Sequence, residues 1–193
     1  MSLGLKGFVG DIVSLALIYL VAQVLMLPLL FYKRCPCDKI LVARKKRRGM
    51  QDKYRISYLK GIFYNPFVEE IKVLYLAPMV CDVNIENVKT KDGVLVLSFP
   101  ITFTYAIDTR LKEIAAEKLI DFNVREIEKL GQKIIQEQMN NIVRDITYKQ
   151  LNFDVGGFCY KVNTDIDKVL NKYGMYIINM KTEDLEVEEN IER

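Results

Sequence analysis

The chain contains no histidine and no tryptophan among its 193 residues, and only five prolines and four cysteines. Without imidazole there is no Ser-His-Asp or Cys-His nucleophile system, no Cys2His2 zinc site and no histidine-ligated metal. Four cysteines are too few to staple a chain of this length as a disulfide scaffold. Motifs of small-molecule chemistry are missing too. There is no Gly-x-Gly-x-x-Gly, no P-loop and no nucleophile elbow, and Gly156-Gly157 stands alone. Glu69-Glu70 and the Asp165/Asp167 pair are sequence neighbours, whereas acid/base catalysis needs two carboxylates facing one substrate, so they read as solvated surface. Asn163-Thr-Asp165-Ile-Asp167 lacks the glycine and distal glutamate of a calcium loop. The expectation is a protein with no catalytic residues, no metal and no cofactor.

What the chain has is a strong segregation of charge. Residues 1–32 carry only Lys6 and Asp11, net zero. Residues 33–60 carry eleven Lys/Arg against Asp38 and Asp52, net +9, and residues 61–193 are net −6. An apolar head, a basic collar and a mildly acidic body are three physical zones, and such patterning speaks to partners rather than to fold.

The head reads as a membrane span. Residues 12–32 hold no charge, and only Ser14, Gln23 and Pro28 interrupt the apolar and aromatic run. About 21 residues of helix reach roughly 31 Å, matching a hydrocarbon core of about 30 Å. Thirteen of these positions are Leu, Ile, Val or Phe, which at about −0.3 to −0.6 kcal/mol each gives roughly −4 to −8 kcal/mol before polar costs. Ile12, Leu15, Leu20, Leu25 and Leu30 mark the anchor along its length. A cleaved signal peptide would have a shorter apolar stretch of about 7–15 residues and a small-residue cleavage site, whereas this run ends in Phe31-Tyr32-Lys33-Arg34. One lysine precedes the span and eleven basic residues follow it, so the positive-inside rule places the body in the cytoplasm, on a single-pass topology.

The collar centres on Arg44, Lys45, Lys46, Arg47 and Arg48. A basic run this close to a span attracts anionic head groups at about 1 kcal/mol per residue; it also serves as a plain stop-transfer flank. Its position argues against nucleic acid as partner. Cys35 and Cys37 flank Pro36 at the same boundary. They are candidates for reversible S-acylation, and equally two ordinary reduced thiols. Cys81 and Cys159 lie in apolar patterns and read as small core residues.

The body changes period midway. Strands are expected at 39–44, 54–63 (closed by Asn65-Pro66), 72–77, 80–88 and 94–107. Asp92-Gly93 signals a hairpin between the last two. Pro100 argues that the long strand is an edge or carries a bulge. From Asp108-Thr109 onward the spacing turns helical, with a second helix after Asn123 through Ile146 and a third from Asp154 to Tyr173, stopped by Gly174. Residues 175–180 close as a strand before an acidic tail. The fold class is α+β, in three parts: anchor 1–34, strand-rich subdomain 35–110, helix-rich subdomain 111–193.

This order of parts resembles the SPFH or band 7 family of stomatins, prohibitins and flotillins. The resemblance rests on the Thr90-Lys-Asp-Gly93 hairpin before a long strand ending at Ile107-Asp108. It rests equally on the helix through Ile134 to Ile146 and on Tyr173-Gly174-Met-Tyr-Ile-Ile178. It implies a membrane-anchored scaffold that self-associates laterally and organises membrane microdomains or partner membrane proteins. The alternative is a regulatory binding subunit of a membrane protease or ion channel that forms no large ring. Family members usually continue into a long coiled coil, and Leu185, Val187 and Ile191 fall short of the three or four heptads that needs.

Overall fold

A computed structural model describes residues 15–24, 31–45, 54–182 and 186–187. After a helix at 15–24 (α1), nine strands and four further helices follow: β1 (Tyr32–Lys33), β2 (Lys39–Lys45), β3 (Arg55–Tyr58), β4 (Ile62–Phe63), β5 (Glu69–Tyr75), β6 (Met79–Lys89), β7 (Leu95–Ile107), α2 (Lys112–Leu119), α3 (Val124–Asp145), α4 (Tyr148–Phe153), α5 (Val155–Leu170), β8 (Met175–Thr182) and β9 (Glu186–Val187). Strands therefore dominate the first half and helices the second, as expected.

Three antiparallel sheets form: β1-β4, β3-β2-β5 and β6-β7-β8, with β9 also on β7. Strand β2 is a continuous apolar run because it is buried on both faces. Ile40 and Val42 face the main core, while Leu41 and Ala43 face a small second core closed by Ile62. A strand covered on both sides loses the polar alternation of a half-exposed one.

In β6 the odd residues Met79, Cys81, Val83 and Ile85 point inward, and then Val88 does. Asn87 adopts φ 54°, a left-handed step that shifts the alternation by one and explains the mixed pattern of this strand. The hairpin at Asp92-Gly93 is present, with Gly93 at φ 84° and its N–H donating to Thr90 O. Pro100, expected at a sheet edge or a bulge, sits in the central strand β7, whose pairing with β9 shifts register between Val96 and Ser98. Phe99 turns its N–H toward β6 and the Asn84 side chain, so the alternating backbone turns the Pro100 nitrogen the other way. On that side β8 pairs with residues 101–107 and β9 with Val96 and Ser98, and Pro100 falls in the gap between them.

The expected strand over 54–63 is split. Leu59 at φ 61° breaks it, and β3 and β4 then join different sheets. The helices are set by their caps. Asn123 and Glu126 make a reciprocal capping box that starts α3, and the Asp154 carboxylate accepts from Gly157 N–H at the start of α5. One buried stripe of α3, including Ile127, Ile135, Met139 and Val143, packs onto β6.

Candidate membrane-facing surface

The site begins where the apolar head meets the body. Of the anchor residues, Leu15 and Leu20 lie in α1, whose side chains are exposed; Ile12, Leu25 and Leu30 lie outside the described residues. Ten helical residues reach about 15 Å, half a bilayer core, and among the described residues no helix is long and apolar enough to cross a membrane. Tyr32, the last residue of the expected span, belongs to β1 rather than to a helix. It pairs with Phe63 across β4, their rings 4.8 Å apart, and Tyr64 N–H donates to Phe31 O at 2.9 Å. The Tyr32 ring lies so close over Gly61 that a Cβ there would sit 2.0 Å from it. The end of the head is thus clamped to the folded domain.

Beside that clamp stands an uncovered apolar loop. Asn65 builds it: Phe67 N–H donates to Asn65 Oδ1 (3.0 Å), Glu69 N–H to Asn65 O (2.7 Å), and Asn65 N–H to Glu69 Oε2 (3.0 Å). This Asx turn leaves Phe67 83% exposed beside exposed Val68; Val68 and exposed Phe63 line one surface groove with Phe31, and Leu59 is exposed in the turn before β4. Lys33, Arg34 and Lys60 are exposed near the same residues in sequence. Asn65-Pro66 does more than close a strand: an aromatic on each side of the turn, Phe63 and Phe67, is the sequence signal of this surface.

The basic run divides. Arg44 is turned into the body, its side chain 11% exposed, with Nη1 donating to both Asp121 carboxylate oxygens at 3.1 Å. Lys72 donates to the same carboxylate at 2.6 Å, and these two cations hold Asp121 below the usual carboxylate range, Lys72 most strongly. Arg44 therefore joins the strand-rich half to the α2–α3 loop. Lys45, the next residue, is exposed, and Lys46, Arg47 and Arg48 lie outside the described residues.

The two boundary cysteines also differ. Cys35 is half-buried against the Leu41–Ala43–Ile62 cluster and its thiol donates to Lys39 O (3.2 Å) and Ser57 O (3.4 Å). Cys37 is exposed in the turn before β2. Cys81 is buried in the main core, its thiol pushed up to about 11 by burial and by Asp82, which suits the small-hydrophobe reading. Cys159, expected to be equally buried, is only partly so.

Residues 42–193 match the family model of the SPFH domain / Band 7 family. The chain belongs to that family. No curated protein matches it. The SPFH domain runs from the middle of β2 onward, so the β1 clamp, Cys35 and Cys37 precede the matched residues while the Phe67 loop lies within them. Members of this family are commonly membrane scaffolds.

Proposed function

We propose that this SPFH-domain protein is a membrane-anchored scaffold: residues 12–32 tether it, the body lies against the cytoplasmic leaflet, and tethered copies associate laterally to organise lipid or membrane-protein partners. The observation that carries this reading is the uncovered Phe67 and Val68 of the Asn65 turn, with exposed Phe63 paired to Tyr32 at the clamped end of the apolar head. Aromatic side chains with cationic neighbours favour the head-group boundary, where the ring leaves water and the ammonium stays in it. Lys33, Arg34, Lys45 and Lys60 supply the cations, at about 1 kcal/mol each on an anionic surface. Lys45, Lys46, Arg47 and Arg48 are assigned to anionic lipid, whereas Arg44, expected among them, is turned inward to Asp121 and is not. Cys37, being exposed, is the better placed of the two acylation candidates. Confinement to a plane raises the effective concentration of copies, so weak lateral contacts suffice.

Because the chain has no tryptophan, Phe67→Trp makes a single reporter. In full-length protein reconstituted with phosphatidylserine vesicles, its emission should shift to the blue and be quenched by lipids brominated near the head group. Emission of a fully solvated indole, unquenched at any bromine depth, refutes the membrane-facing assignment. A cytoplasm-dependent reporter fused after Arg193 tests the topology, and a silent fusion overturns it.

A further inference from the structure

A second apolar feature lies away from the Phe67 loop. Strand β5, the β5–β6 turn and the start of α3 enclose a cavity of about 250 Å³ lined by Leu74, Ala77, Met79, Phe122, Val124 and Ile127, among others. Its rim is greasy as well, since Tyr75, Phe122, Val124 and neighbouring Val80 are exposed. No residue of α4 or α5 contributes to it. At the α4–α5 junction the chain leaves apolar side chains uncovered as a knob. Phe153 and Tyr160 are each 76% exposed and Val155 stands between them. Gly156 lies one helical turn before Tyr160 and has open space where a Cβ would sit, so the knob is flanked by bare backbone.

We infer that the β5–α3 cleft receives the Phe153–Tyr160 knob of a second copy of this chain. The inference rests on the scaffold reading and names the contact by which copies associate.

Charge supports this occupant. Glu128 lines the cleft, and its carboxylate makes no ion pair among the described residues. Lys149 and Lys161 flank the knob in sequence and are equally without an ion pair there. The Asp154 carboxylate between them is occupied by the α5 N-terminus. Opposite charges beside a cleft and beside a knob give register to a contact that apolar burial drives.

Area fits as well. Two aromatic side chains bury about 300–500 Å² together, against roughly 800 Å² per partner in a stable soluble complex. Such a contact is too small to hold free molecules and large enough for molecules held in one plane. Because cleft and knob are different surfaces, each copy offers one of each, and the contact propagates head to tail into a ring or strip rather than stopping at a symmetric pair.

The test uses full-length protein in native-lipid nanodiscs or vesicles, with the photo-crosslinker benzoylphenylalanine at the position of Phe153. Irradiation should give an intermolecular adduct whose second peptide lies within residues 73–79 or 122–128. Phe153→Asp with Tyr160→Asp should reduce the high-mass species on native gels at least tenfold at an unchanged melting temperature. Glu128→Lys should weaken assembly, and adding Lys149→Glu and Lys161→Glu should restore it; this exchange of exposed charges decides the matter if the Asp variants fail to fold. High-mass assemblies that survive both sets of variants overturn the cleft assignment and leave the scaffold reading standing. Adducts to lipid or to a different protein also overturn it. A wild-type protein monomeric in the bilayer overturns both.

Discussion

Gly131 occupies a position where helix propensity and packing make opposite demands. It lies inside α3, where alanine is favoured over glycine by about 1 kcal/mol. Yet a Cβ at this position would fall 2.4 Å from Tyr105 Cε2, 2.5 Å from Cζ and 2.6 Å from the hydroxyl oxygen. Tyr105 cannot yield, because it is fully buried on β7 and its hydroxyl donates to Glu128 O at 2.8 Å. Overpacking of this kind costs about 1–3 kcal/mol. Displacing the ring also strands a buried hydroxyl at about 1–3 kcal/mol. After the propensity gain is subtracted, Gly131→Ala should destabilise by about 1–5 kcal/mol. At about 2–4 °C per kcal/mol this is a fall in Tm of roughly 2–20 °C. Circular dichroism of the full chain in detergent reads it. Tyr105→Leu removes the obstacle, so in that background Gly131→Ala should be neutral or stabilising, and the double-mutant cycle should show strong coupling. An unchanged or raised Tm for Gly131→Ala alone, or the same loss in the leucine background, refutes the seating of α3 on β7.

Two further predictions concern links between the halves of the domain. The Asp92 carboxylate at the hairpin accepts from Tyr148 N–H, the first of α4, at 3.0–3.1 Å and from the Thr90 hydroxyl; these bonds, Thr90 foremost, hold its carboxyl below the ordinary value. A depressed folded-state value means stabilisation present above the unfolded-state value of about 3.9 and lost as pH falls through the folded one. Asp92→Ala should therefore lower Tm at pH 7 by an amount matching a lost helix cap, about 1–2 kcal/mol, and wild type and variant should converge toward pH 2; a gap independent of pH refutes the role. Asp121→Asn should loosen the Arg44–Asp121–Lys72 link by at most about 1 kcal/mol, because Asp121 is more than half exposed, and the loss measured by urea titration should fade in 1 M NaCl; a salt-independent loss contradicts an ionic link.

Much of the fold was legible because its signals are local. Asn123 and Asp154 cap α3 and α5 with side chains three residues from the groups they satisfy, and Gly174 ends the last helix at φ 73°. The long strand and its Asp92-Gly93 turn show the same locality. Helix α4 was missed because six residues are too few to display a period, although Thr147-x-x-Gln150 forms a capping box that the sequence spells out. The β1–β4 clamp was missed because two-residue strands carry no pattern, and their pairing joins residues thirty positions apart. Leu59 gave no warning of its left-handed turn, since nothing in leucine asks for positive φ.

By itself the sequence determined the zones: an uncharged apolar head, a basic collar, strands and then helices in the order of an SPFH domain. Run length, charge count and periodicity are sums over neighbours, so no folded partner is needed to evaluate them. Only the tertiary structure decided that Arg44 turns inward to Asp121 while Lys45 faces solvent, that Pro100 fits a central strand, and that Phe67, Phe153 and Tyr160 remain uncovered. Each of those outcomes depends on what a distant segment places opposite the residue, and burial is a property of that pairing rather than of either residue alone.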